Sequence, residues 1–96
     1  MEKFGLSTNV YKQIKKIINK YNQYEFRLFG SRARGNYKKT SDIDIAVFGE
    51  IDEKTRYKIL DEFDCLNIIY DIDIVFVDTT LRKEMLQSIL KEGVEF

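Results

Sequence analysis

Proline, histidine and tryptophan are absent from these 96 residues, and cysteine occurs once, at Cys65. Without proline no helix or strand is forced to break, and turns fall to the five glycines. A lone thiol excludes an internal disulfide, and with no histidine beside it a zinc centre is not expected. No apolar run approaches the roughly 20 residues that span a bilayer, and charge recurs through the segment where a secretory leader would be apolar. These absences predict a cytoplasmic protein with no membrane partner.

Net charge is absent as well, but its zero conceals a division. Residues 1–41 hold ten Lys/Arg against two Asp/Glu, and residues 42–96 hold six against fourteen. Such a split suits a site where phosphates meet metal-binding carboxylates, and it equally suits two halves of one surface that attract each other. What is abundant is core material: 44% of residues are hydrophobic, including seven Phe and six Tyr, which is the profile of a globular chain. No Pro-rich, Gly/Ser-rich or repetitive stretch marks a linker, so residues 1–96 are expected to form one domain.

Periodicity supplies the elements. Val10, Ile14, Ile17, Ile18 and Tyr21 recur at helical spacing between Ser7 and Asn22, with Lys12, Lys15, Lys16 and Lys20 mostly opposite. Tyr24–Phe29 is short and aromatic-rich, a strand running into Gly30. Asp42–Phe48 (DIDIAVF) starts in strict alternation and ends apolar, and Asp71–Val77 (DIDIVFV) almost repeats it; both read as strands. Between them Glu53–Leu66 reads as a helix whose buried stripe takes Tyr57, Leu60 and Phe63 with Ile59 and Leu66. Arg82–Glu92 is a last helix with Met85, Leu86, Ile89 and Leu90 facing inward, stopped at Gly93, and Val94–Phe96 adds an edge strand. The order predicts a small α/β fold, a mixed sheet flanked by helices.

The chemistry concentrates in Gly30-Ser31-Arg32-Ala33-Arg34-Gly35 and in Asp42-Ile43-Asp44, with ten residues between Ser31 and Asp42. A glycine after a strand permits a sharp turn and close approach of a ligand to the main chain. Ser31 then opens a short helix whose free N–H groups favour an anion such as phosphate. Arg32 and Arg34 bring guanidinium groups that bind phosphate oxygens in bidentate fashion. Asp42 and Asp44, two apart on a strand, project their carboxylates from one face and repel each other. Magnesium removes that penalty and completes its shell with water and substrate phosphates. Asp71 and Asp73 share a parity on the later strand; if the two strands are neighbours, a third carboxylate joins, enough for two ions and in-line displacement at phosphorus. An isolated Asp-x-Asp marks a solvated strand face as readily as a metal site. The combination with Gly-Ser and two arginines favours the site.

The run GSRARGNYKKTSDIDIAVF resembles the signature of the DNA polymerase beta-like nucleotidyltransferase superfamily, Gly-Ser followed after ten residues by Asp-x-Asp. The later DIDIVFVDTTLRKEMLQSILKEGVEF is similar to the tail of its minimal members, so the likeness spans most of the chain. It implies the polymerase beta-like fold, nucleotide phosphates held at Gly30 and Ser31, magnesium on Asp42 and Asp44, and a third catalytic carboxylate. Ile72-Asp73-Ile74-Val75 fits the family pattern for that third residue, with Asp71 in reserve. The resemblance also places Arg32 near the phosphates; Arg34 has capping and salt bridging as alternatives. It implies ATP as substrate and, at this size, the MntA-type antitoxins of prokaryotic toxin–antitoxin pairs. These transfer AMP to a tyrosine hydroxyl of a HEPN ribonuclease toxin. Transfer to RNA or a small molecule, and neutralisation by binding alone, are the alternatives. The lysines lie along one helix and one loop, with no basic and aromatic platform, so nucleic acid is not expected as the main partner.

Overall fold

A computed structural model describes residues 4–78 and 81–96. Helix α1 (Thr8–Lys20) starts at Ser7, whose Oγ accepts the Val10 N–H at 3.3 Å and satisfies one of the amides that a first turn leaves free. Its apolar stripe buries Ile14, Ile17 and Ile18. Strand β1 (Glu25–Phe29) leads directly into the four-residue helix α2 (Ser31–Arg34), which ends at Gly35 in the left-handed conformation. Strand β2 (Ile43–Phe48), helix α3 (Glu53–Asp64) and strand β3 (Ile72–Val77) form a parallel crossover unit. Helix α4 (Lys83–Glu92) and the two-residue strand β4 (Val94–Glu95) complete the described elements.

The sheet order is β3-β2-β1-β4, with β1 antiparallel to both β2 and β4 and β2 parallel to β3. It is therefore the mixed sheet that the alternation of elements predicts. Strand alternation assigns the faces. Phe26, Leu28, Ile43, Ile45 and Val47 are buried on one side together with Ile14, Ile17 and Ile18 of α1 and Ile59 and Phe63 of α3. Burying a side chain of this kind contributes roughly 1.5–3 kcal/mol, so this layer dominates the stability. α1 and α3 are also joined at their ends: Glu62 accepts from Lys20 at 2.7 Å and from the Tyr21 hydroxyl, and that second bond is the main reason the Tyr21 pKa rises to about 12. Phe96 is tied back by Lys15, which donates to its carbonyl at 2.8 Å, and by stacking on Tyr11.

The stripes on two helices are narrower than their periodicity predicts. In α3 only Ile59 and Phe63 are fully buried, while Tyr57 is 64% and Leu60 39% exposed. α3 packs against β3, which is an edge strand, so its outer flank has no strand beneath it. In α4 Ile89 is buried, Met85 and Leu86 are half-buried, and Leu90 faces outward. Among the described residues no helix is long and apolar enough to cross a membrane.

Candidate active site

The register of the sheet assembles the site. Phe29, the last residue of β1, pairs with Asp44 of β2, and Asp44 pairs with Asp73 of β3. Three neighbouring strands thus deliver to one row the start of the Gly30 turn, the second carboxylate of Asp-x-Asp, and the third carboxylate. Asp73, the preferred third residue of the sequence pattern, is the one in register with Asp44. Asp71 lies one residue outside β3, where its carbonyl accepts the Ile43 N–H at 2.9 Å.

Gly30 adopts φ 76°, ψ −156°, a conformation open in practice only to glycine. Its missing side chain is also required by space: a Cβ there would collide with Oδ2 of Asp44. The chain then closes α2 through Arg34 N–H to the Gly30 carbonyl (3.1 Å) and Gly35 N–H to the Ser31 carbonyl (3.0 Å). Gly30 offers no side chain to cap that turn. Ser31, at its head, is half-buried.

Electrostatics single out Asp44. Its pKa is raised from 3.8 to about 6, first by burial, then by the charges of Asp73 and Asp42 and a hydrogen bond with Asp73; Arg34 pulls the other way. Asp42 and Asp73 are exposed and Asp44 half-buried. Three carboxylates in mutual electrostatic reach with one arginine against them leave a deficit of positive charge, and hard oxygen donors suit magnesium. Among the described residues no group of three His, Cys, Asp or Glu side chains stands at ligating spacing. Asp44 and Asp73 are the pair in direct contact, and Asp42 acts on Asp44 through its charge.

The two arginines separate. Arg34 reaches Asp44 electrostatically and pairs with Glu92 of α4 at 2.8 Å. Arg32, expected at the phosphates, is instead 2% exposed. Its Nε and Nη2 donate to the Ser41 carbonyl at 3.2 and 2.9 Å, Nη2 also to Lys39 at 3.5 Å, and Nη1 to Phe4 at 3.0 Å. Tyr70 and Tyr37 lie against its guanidinium at 4.7 and 5.1 Å. A planar cation ringed by carbonyls and aromatic faces is spent on structure. It fastens the loop immediately before Asp42, so its effect on the site is positional. Sequence spacing gave no sign of this, because every partner lies outside the GSRARG run. Glu92 was missed for the same reason: it lies 58 positions from Arg34.

Beside this row the space between α3 and β3 opens as a groove of about 680 Å³, which includes Asp42, Asp71 and Asp73 along one margin. The arrangement as a whole offers a glycine turn for close approach of a ligand, an arginine, and carboxylates that a hard cation would neutralise. These are the parts needed to handle a polyphosphate.

The family model described as "Polymerase beta, Nucleotidyltransferase" matches residues 12–96. No curated protein gives a significant sequence match. Among solved structures the fold is similar to a toxin–antitoxin complex with AMP-PNP (25% identity, TM-score 0.64, covering 88% of this chain and 69% of that one). It is similar to a mutant of the toxin–antitoxin MntA-HpeT to the same degree (25%, 0.64, 95% and 72%). A putative nucleotidyltransferase from Sulfolobus solfataricus matches over 100% of this chain and 88% of that one, at 27% identity and TM-score 0.57.

Proposed function

This chain belongs to the polymerase beta nucleotidyltransferase family, and on that premise we propose that it is an antitoxin that transfers AMP from ATP to a hydroxyl, a tyrosine's, on a partner HEPN ribonuclease toxin. The observation that carries the reading is the contact between Asp44 and Asp73 beside the Gly30 turn. A carboxylate pushed up to about 6 by burial and by its acidic neighbours is costly to retain unless a cation is bound there in use. Likeness to the MntA-HpeT toxin–antitoxin and to the complex with AMP-PNP supports the antitoxin role and the adenine nucleotide.

The chemistry divides the tasks among these residues. The Gly30–Ser31 turn admits the triphosphate close to the main chain, and Arg34 adds a cation on the same side. Asp42, Asp44 and Asp73 would hold magnesium, one or two ions, which supplies charge neutralisation at the α-phosphate and at the leaving group. The acceptor oxygen forms its bond to the α-phosphorus while the bond to the bridging oxygen breaks, and pyrophosphate departs. Asp73, exposed and at the margin of the groove, takes the hydroxyl proton.

The test is incubation with α-labelled ATP, magnesium and host lysate, for the native chain and for Asp42→Asn/Asp44→Asn. Label on one discrete protein band, dependent on the carboxylates, is the expected result. Label on RNA or a small molecule instead would replace the acceptor. An absence of label with a variant that still neutralises the toxin would leave binding alone as the function.

A further inference from the structure

The two edges of the sheet are unlike. β4 is two residues long and so offers almost nothing to pair with. β3 runs for six residues, Ile-Asp-Ile-Val-Phe-Val, as the opposite edge. Edge strands are ordinarily blunted by lysine, proline or a bulge. β3 has neither residue, and its single charge, Asp73, faces the carboxylate row. Because the Asp71 carbonyl points to Ile43 of β2, strand alternation turns the amides and carbonyls of Ile72, Ile74 and Phe76 outward, toward the open side.

That open edge forms one side of the 680 Å³ groove, and α3 forms the other. Among the described residues five aspartates line the groove, and neither lysine nor arginine does. Asp61 and Asp64 on α3 are both exposed, as is the apolar Leu60 between them and Tyr57. Ile69, at 90% exposure, stands in the turn before β3. An apolar floor, a row of main-chain groups unpaired among the described residues and walls of one charge sign together describe a receptor for an extended peptide that brings positive charge.

We propose that the groove between α3 and β3 docks the acceptor segment of the partner protein, an extended lysine- or arginine-bearing peptide that adds to the β3 edge and presents its hydroxyl residue to Asp73. A strand in that position alternates its side chains between α3 and the face carrying Asp44 and Asp73, so one face binds while the other reaches the chemistry. A second copy of this chain fits poorly, since pairing two β3 edges would set one acidic groove against another. The inference rests on the protein-acceptor reading given above.

The test uses synthetic eight-residue peptides with a central tyrosine flanked by arginines, a matched set with glutamates, and versions N-methylated on alternate amides. Binding is read by fluorescence anisotropy without nucleotide. The arginine peptide binds and the glutamate peptide does not; N-methylation of one alternate set abolishes binding and of the other set is tolerated. Asp61→Lys/Asp64→Lys weakens binding by about tenfold or more, as expected for loss of close opposite charges, while ATP affinity is unchanged. Lysines near the C-terminus of α3 favour its dipole, so this variant keeps its helix. Asp61→Asn/Asp64→Asn gives an intermediate loss.

Equal binding of arginine and glutamate peptides, an unchanged affinity in the double lysine variant, or a native dimer that this variant dissociates would overturn the docking proposal. Docking without any transfer from ATP would leave the groove standing and overturn the function proposed above. Full-rate transfer to a protein acceptor by the double lysine variant would do the reverse.

Discussion

Asp44 and Asp73 face each other across the parallel pair β2–β3 and share a hydrogen bond, although each would be negatively charged in water at neutral pH. Sheet register enforces this contact, so neither side chain can retreat far without breaking the ladder. Burial, and after it the repulsion, is stored as a raised affinity of Asp44 for a proton. At the proposed magnesium site a divalent cation and a proton would compete for one position, and most of the testable behaviour follows from that competition.

The first consequence is a pH-dependent stability of the metal-free protein. Asp44 titrates near 6 when folded against an ordinary value of 3.8, so the folded state binds the proton more tightly than the unfolded one. Its contribution to stability is full below about pH 4 and is lost as pH rises through 6. Thermal melts in EDTA between pH 4 and 8 should show this loss. Asp44→Asn should remove it and raise the Tm at pH 8 by a few degrees, on the order expected for a domain of this size. A Tm at pH 8 unchanged or lowered in Asp44→Asn would contradict the repulsion.

Metal affinity should show the complementary dependence. Magnesium or manganese titrated calorimetrically should bind in the pH 7–8 range and progressively more weakly below about 6, with protons released on binding. Asp44→Asn and Asp73→Asn should each weaken binding at least tenfold, by loss of a ligand charge. Equal affinity at pH 5 and pH 8 would remove the carboxylate pair as the site.

Gly30→Ala examines the turn and the carboxylate together. The left-handed backbone alone costs about 1–3 kcal/mol for a non-glycine residue, and the added methyl must push Asp44 aside. A displacement of this kind lowers turnover on the order of a hundredfold. Gly35 is also left-handed, but a Cβ there meets nothing within 4 Å among the described residues. Gly35→Ala should therefore lose stability and keep its turnover per folded molecule, which separates backbone strain from damage to the site.

Much of this was open to reading in the residues. The two DIDI segments alternate so strictly that their strands are found within one residue of the expected limits, and Gly30-Ser31 does stand at a strand-to-helix turn. Adjacency of the two acidic strands was only a condition in the sequence; it depends on the crossover through α3, which no local pattern encodes. The width of the α3 stripe was equally hidden. Period locates a helix face, whereas the exposure of Tyr57 and Leu60 depends on where the sheet ends. The burial of Arg32 was hidden because its type fits phosphate as well as it fits a cage of carbonyls, and the cage is built by Phe4, Lys39, Ser41, Tyr37 and Tyr70 only on folding.

The two arginines of the motif should consequently fail in different ways. Arg32→Ala strips charge-assisted bonds from part-buried carbonyls and should cost about 3 kcal/mol in denaturant unfolding. Arg32→Lys should recover less than half, since an ammonium cannot serve three carbonyl groups in one plane. Arg34 is on the surface and its pair with Glu92 is solvated, so Arg34→Ala should stay within about 1 kcal/mol of native stability. Its removal takes away the cation that lowers the Asp44 pKa, and the Asp44 transition should move further upward in pH. A large stability loss in Arg34→Ala, or a native-like Arg32→Ala with a weakened affinity for ATP, would exchange the roles assigned to these two side chains.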